Sequence, residues 1–226
     1  MRKNEARALG QQMQGLPVEA IEPVLNLGSS TERFRTIEQP HIDEEIFAPL
    51  RRRGVKILHA DLKEAEGVDL VGNVYDLDYQ RRMREINPRL IFCSNMLEHL
   101  TEREKFVETC DAMLAPGGYL VLTVPHDYPY HQDPIDTYYR PSPSELSDLL
   151  PHYECVWSES VEDSTFGDDW RAMPGSEKLR RIVSLWKAPY LYFADRERFL
   201  GRYHRWLWFS KPYRVSCVLL RKPETT

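Results

Sequence analysis

Five side chains that can handle protons and anions crowd one loop of this chain: His126, His131, Asp133, Asp136 and Arg140. They follow directly on an apolar run, Tyr119–Val124. An imidazole titrates near neutral pH and can take a proton from a hydroxyl, a carboxylate can orient it, and a guanidinium can clamp an anion. His126, nearest the end of the apolar run, is the first candidate base and His131 the second. Asp136 is placed to orient an imidazole or bind a polyol, and Arg140 to hold an anionic group. A metal reading of His126, His131, Asp133 and Asp136 lacks the helical H-E-x-x-H spacing, and Pro129 and Pro134 leave the geometry undetermined, so no metal ligand is assigned. A second polar group, Asn95-Met96-Leu97-Glu98-His99, follows the apolar run Leu90–Cys93.

The elements between the two groups fix their relation. Leu90–Cys93 and Tyr119–Val124 read as strands buried on both faces. Thr101-x-x-Glu104 predicts a capping box opening a helix, with Phe106, Val107, Cys110, Met113 and Leu114 on one face. Pro116-Gly117-Gly118 stops it. A strand–helix–strand unit of this size makes a right-handed crossover in a parallel sheet, and ligands sit beyond the carboxyl ends of such strands. Upstream, Pro23–Gly28 predicts a strand entering the turn Gly28-Ser29-Ser30-Thr31. Val55–His59 predicts a second strand followed by Asp61, where a carboxylate can accept from ribose hydroxyls. Val68–Val71 predicts a third, followed by Gly72-Asn73-Val74. Helices are expected at Lys3–Gln14, about Asp43–Arg53 and from the Ser142-x-x-Glu145 capping box. Residues 32–41 read as a loop or a single turn whose Arg33, Arg35 and His41 could stand near a ligand but read first as surface residues. Tyr153–Trp157 and Tyr213–Leu220 complete the strands.

NMLEHL followed by APGGYLVLTVP closely resembles the fourth and fifth strands of class I S-adenosylmethionine-dependent methyltransferases, of the type 11/12-like kind. The continuation H-x4-H-x2-P-x-D-x2-YR, His126 to Arg140, resembles the subgroup associated with glycan and natural-product gene clusters. The resemblance covers about residues 20–155. It implies an α/β, doubly wound, Rossmann-like sheet with an antiparallel last strand, and S-adenosylmethionine as cofactor; the aromatic pattern after residue 178, outside the resemblance, adds an aromatic-rich helical insertion before that strand. The implied cofactor contacts are Asn26, Gly28, Ser29, Ser30, Asp61, Leu62, Asn73, Val74, Asn95 and His99, with the 3–14 helix as a cover. Serine stands where the family's second turn glycine is usual, Asn26 where an acid is commoner, and Asn73 where Asp is frequent. The implied activity is O-methylation of a small-molecule or glycan acceptor, with His126 or His131 as base. Two other classes stay open: a catalytically silent protein that keeps the fold for binding or scaffolding, and a nucleotide-binding oxidoreductase, which would want the absent G-x-G-x-x-G.

At 226 residues with 42% apolar side chains, the chain suits one domain: an N-terminal helix (1–22), a core (24–162), an insertion (163–212) and a last strand (213–222). No apolar run approaches the ~18 residues of a membrane span, and the charged, Gln-rich start does not read as a signal peptide. Four scattered cysteines, Cys93, Cys110, Cys155 and Cys217, fit reduced thiols of a cytoplasmic protein. A net charge of −5 argues against a nucleic-acid partner. That average is uneven: residues 1–177 hold 18 basic and 32 acidic side chains, a net of −14, whereas residues 178–214 hold ten basic against two acidic, a net of +8. Trp186, Tyr190, Phe193, Phe199, Tyr203, Trp206 and Phe209 recur there at helical intervals, which predicts a helical pair burying its aromatics against the domain. The excess charge suits an anionic acceptor, a peripheral membrane contact, or the acidic body of a second copy in a homodimer.

Overall fold

The computed structural model describes residues 1–131 and 135–224; Asp133 of the loop cluster lies outside them. Seven strands form one sheet in the order β3-β2-β1-β4-β5-β7-β6. They are β1 (Val24–Leu27), β2 (Ile57–Asp61), β3 (Leu70–Val71), β4 (Leu90–Ser94), β5 (Tyr119–Asp127), β6 (Glu154–Thr165) and β7 (Pro212–Arg221). β1 to β5 run parallel, and β7 inserts antiparallel between β5 and β6. The chain order reverses at β1, whose neighbours β2 and β4 leave a crevice at their carboxyl ends.

Alternation along the central strands divides the core into two layers. Leu25, Leu27, Ile91, Cys93, Leu120 and Leu122 face α4 (Leu77–Ile86), α5 (Arg103–Met113) and α6 (Pro143–Ser147). Val24, Leu90, Phe92, Tyr119 and Val121 face α1 (Lys3–Gln14) and the segment around Ile46 and Phe47. A side-chain period of two makes one strand serve both layers, so β1 and most of β4 and β5 are buried. Among the described cysteines no disulfide forms, and only Cys155 is exposed. Among the described residues no helix is long and apolar enough to cross a membrane.

Several local expectations are corrected. The Thr101 capping box does not form; α5 starts at Arg103 with Glu102 as its cap and no side-chain capping bond. The Ser142 box does form. Residues 34–38 and 43–47 make wide helical turns, the first closed by the Gln39 N–H on the Phe34 carbonyl at 2.8 Å, and only Ala48–Arg52 (α3) is regular helix. β6 runs eight residues beyond Trp157 and hands over to the insertion at Thr165.

The insertion contains α7 (Phe166–Ala172), α8 (Gly175–Ser184), α9 (Ala188–Ala194) and α10 (Arg196–Tyr203). Its aromatics are not buried against the domain as their periodicity predicts. Leu191, Tyr203 and Trp208 are buried, but Trp186 is 89% and Phe193 86% exposed, with Leu179, Ile182, Val183 and Tyr190 exposed beside them. The insertion is fastened at its root instead: the Trp208 indole donates to the Asp127 carbonyl at 3.1 Å, and His204 Nδ1 accepts from the Tyr130 N–H at 2.9 Å.

Candidate active site

A cavity of about 560 Å³ opens at the carboxyl ends of β1, β2, β4 and β5, and a smaller one of about 190 Å³ adjoins it, both lined by Gly28, Asp61 and Met96. The larger receives Asn26, Ser29, Ser30, Asn95 and His99, and the smaller Leu62, Asn73 and Val74. The ten residues implied as cofactor contacts therefore surround one continuous trough. Nothing but topology could bring these together, since they come from the ends of four strands.

The first turn keeps a glycine-like path without its second glycine. Gly28 has φ +68°, and a Cβ there would meet Met96 Sδ at 3.1 Å. Ser30 also lies at positive φ, 54°, a region that costs an L-residue about 1–2 kcal/mol. Two neighbours hold it. Asp61 Oδ2 accepts from the Ser30 N–H at 2.8 Å, and the Arg35 guanidinium donates to the Ser29 and Ser30 carbonyls at 2.9 and 2.7 Å. Arg35 is thus buried under the turn rather than on the surface. Arg33 is exposed and pairs with Glu38, and His41 contacts the Met1 carbonyl. The Asn26 amide donates to His59 Nδ1 at 3.0 Å, which fixes a neutral imidazole there; burial, then the charge of Arg35, lowers the His59 pKa to about 4.

Helix α1 closes the trough through Glu5, a residue with no sequence signal for the role. Its buried carboxylate accepts from Thr123 Oγ1 and Asn95 Nδ2, both at 2.8 Å, and from the Arg2 N–H at 2.9 Å. Asn95, itself at φ 51°, is locked between Glu5 and the Thr123 carbonyl.

The far wall comes from the loop after β5, which folds back on the turn after β4. Thr137 donates through its N–H and its hydroxyl to the Glu98 carbonyl, at 2.9 and 2.8 Å, and His99 Nδ1 contacts the Ile135 carbonyl. This latch brings His131 Nε2 to 3.9 Å from Glu98 Oε1, with His99 Nε2 at 3.7 Å from the same oxygen. His99 and His131 line the cavity, and the fully buried Glu98 carboxyl lies behind them. Burial pushes that carboxyl up to about 8 and holds His131 below its ordinary value. Asp136 stands behind His131, its Oδ2 at 3.5 Å from Nδ1. Burial opposes the Asp136 carboxylate, but hydrogen bonds from Arg140 and from the His131 and Tyr138 N–H groups outweigh it and keep its pKa below the usual range. Arg140 is spent on that bidentate pair, at 3.0 and 2.6 Å, and is not free to clamp a ligand. His126 lines neither cavity; its Nδ1 contacts the Pro141 carbonyl at 3.0 Å and pins the loop.

A further cavity of about 530 Å³ is lined by Arg180, Arg181, Arg198, Arg202 and Arg205 of the insertion, and by His131. Among the described residues, Glu177 is the only carboxylate within ion-pair distance of any of the five, reaching Arg181 at 2.9 Å and Arg180 at 4.0 Å. His131 therefore stands on the wall between an arginine-lined chamber and the trough.

No family model matches the chain, and no curated protein does. Solved structures do. An N1-methyltransferase of Burkholderia thailandensis, with bound 1,6-didemethyltoxoflavin and S-adenosylhomocysteine, is 16% identical at TM-score 0.52, covering 98% of this chain and 78% of that one. Coclaurine N-methyltransferase, bound to N-methylheliamine and S-adenosylhomocysteine, is 14% identical at TM-score 0.53, covering 97% and 70%. The [4+2]-cyclase SpnF is 13% identical at TM-score 0.55, covering 98% and 81%. The strand order, the reversal at β1 and these likenesses agree: the chain has the fold of the class I S-adenosylmethionine-dependent methyltransferases.

Proposed function

We propose that the protein is an S-adenosylmethionine-dependent O-methyltransferase whose small-molecule or glycan acceptor carries an anionic group. The observation behind this reading is the position of His131, shared by the trough and the arginine chamber. Gly28, Ser29 and Ser30 approach the methionine part of the cofactor, Asp61 accepts from its ribose, and Leu62, Asn73 and Val74 flank its adenine. The acceptor's phosphate or carboxylate sits among the arginines, which suit such anions in pairs of N–H donors. Its hydroxyl then meets the methyl group beside His131, with Asp136 holding the imidazole from behind. The new O–CH3 bond forms as the S–CH3 bond breaks in line, the sulfonium becomes a neutral thioether, and the hydroxyl proton is lost. Alignment supplies much of the rate in such a displacement.

Calorimetry with S-adenosylmethionine and NAD, followed by methyl transfer to sugar phosphates and to the matching neutral sugars, tests the reading. Binding of the methyl donor, no binding of NAD, and turnover confined to anionic acceptors are expected. A folded protein that binds neither donor nor product would instead be a scaffold on this fold. The exposed face of Leu179, Ile182, Val183, Trp186, Tyr190 and Phe193 supports self-association against the acidic body of a second copy. Light scattering showing a monomer at all concentrations would remove that partner, and pelleting with anionic vesicles would replace it with a membrane.

A further inference from the structure

We propose that Glu98, His99 and His131 form a binding site for a divalent first-row transition metal ion at the acceptor end of the trough. One donor atom from each residue lies within 4.8 Å of the other two, a carboxylate oxygen and two imidazole nitrogens. Donors sharing one ion at about 2.1 Å stand roughly 3.0–3.4 Å apart, so the two carboxylate–imidazole pairs, at 3.7 and 3.9 Å, need close by less than about 1 Å.

Three independent features point to a ligand here. The Glu98 side chain is completely buried, yet neither of its oxygens accepts a hydrogen bond from another described residue. A buried carboxyl without partners is costly, and a bound cation would offset that cost. Second, the His99 imidazole is held from the rear as metal-ligating histidines are held, and His131 has a carboxylate behind it, short of a hydrogen bond. His99 Nδ1 is on the Ile135 carbonyl and His131 Nδ1 faces the Asp136 carboxylate at 3.5 Å, leaving both Nε2 atoms turned to Glu98. Third, His99 and His131 border the cavity, so an ion on their Nε2 atoms adjoins the trough, and three protein donors leave a fourth position unfilled. Two imidazoles and one carboxylate suit Mn, Fe, Co, Ni or Zn in the divalent state rather than Mg or Ca, which prefer all-oxygen sites.

This inference rests on the reading of the trough as a methyl-transfer site and says how the hydroxyl is prepared. An acceptor oxygen bound to the ion has its pKa lowered, as bound water does. Its proton passes to solvent, and the oxygen's electron pair then forms the bond to the methyl carbon as the C–S bond breaks.

The test is titration of chelator-stripped full-length protein with Co²⁺ and Zn²⁺, read by Co²⁺ visible absorption and by calorimetry. One ion per chain is expected. His131→Ala should abolish the Co²⁺ spectrum, and Glu98→Gln, which keeps the shape, should weaken binding more than tenfold. Asp136→Asn should weaken it about tenfold through ring orientation. His152→Ala, an exposed histidine elsewhere, should bind as the native chain. Absence of a Co²⁺ spectrum and of Zn²⁺ heat in the native protein would overturn the proposal, as would binding unaltered in folded His131→Ala and Glu98→Gln variants. Calorimetry with S-adenosylmethionine on the same samples separates the failures: a chain that binds donor but no metal loses only the metal site, and one that binds metal but no donor loses the methyl-transfer reading.

Discussion

The Ser30 N–H donates to Asp61 Oδ2 at 2.8 Å, so the residue at the end of β2 holds the turn at the end of β1. Two functions meet in one carboxylate: its second oxygen already accepts from the Lys63 N–H at 3.1 Å, and its remaining lone pairs face the trough. Removing it loosens the turn and, on the reading proposed above, deletes the acceptors for a ribose.

Ser30→Gly should therefore raise stability by up to about 1 kcal/mol, the left-handed strain less the entropy of a glycine. Asp61→Ala should weaken donor binding by about 1.5–3 kcal/mol for each charge-assisted bond lost. The double variant should regain stability without affinity. Urea unfolding and calorimetry on the three proteins read the two effects apart; equal donor affinity in folded Asp61→Ala would remove Asp61 from the site.

Glu5→Ala should unlatch α1. The change takes away the shorter acceptor of Thr123 and Asn95 and leaves each only Ser94 Oγ at 3.0 Å, a loss of about 1–2 kcal/mol. Amide exchange across residues 3–14 should quicken while β4 and β5 stay protected. Unchanged exchange in α1 would show that its apolar face, Ala6, Leu9 and Met13, suffices to hold it.

His59 gives the fold a pH limit. Burial and Arg35 lower its pKa from 6.5 to about 4 in the folded chain. Between those values the unfolded chain binds a proton that the folded one refuses. The stabilisation is present above pH 6.5 and is lost as pH falls toward 4, by at most about 3 kcal/mol. Protonation also sets an N–H against the donating Asn26 amide. His59→Gln should flatten the difference between urea midpoints at pH 7 and pH 4.5; an equal difference in both proteins would assign it elsewhere.

The gathering of Gly28, Asp61 and Asn73 at one end of the sheet was legible because its logic is local and topological. Gly28, Asp61 and Asn73 each follow an apolar run, and a parallel sheet gathers such ends whatever the loops do. Glu98 and Glu5 were not. Each looks like one acid among many until a distant segment arrives: Glu98 matters through His131, and Glu5 through Thr123, 118 positions away. Arg35 was misjudged for the same reason, since its partners are backbone carbonyls that no residue type announces. The aromatic rhythm of 178–214 misled in the opposite sense. Periodicity shows that apolar side chains share a face, and only tertiary contact decides whether that face is covered.

Arg202→Ala and Arg205→Ala should raise KM for an anionic acceptor about tenfold or more each, a charge-assisted bond apiece, with kcat little changed. Inorganic pyrophosphate should compete with the acceptor in the native protein and lose potency in both variants. Raised salt should mimic the substitutions. Equal KM values for charged and neutral acceptors would take the arginine chamber out of substrate binding.

Thr165 at the end of β6 pairs with Pro212 at the start of β7, so the four insertion helices leave and rejoin the sheet at a single point. A tight hairpin turn in their place would keep every strand in register. The segment behaves as an exchangeable cartridge plugged into one edge of the sheet, while Gly28 and Asp61 sit on strands that never touch its junction. Lengthening, trimming or grafting it should leave the Gly28 and Asp61 turns in place, and on the reading proposed above a chimera carrying another cartridge, with the Arg2–Asp169 pair kept, would change the acceptor chosen.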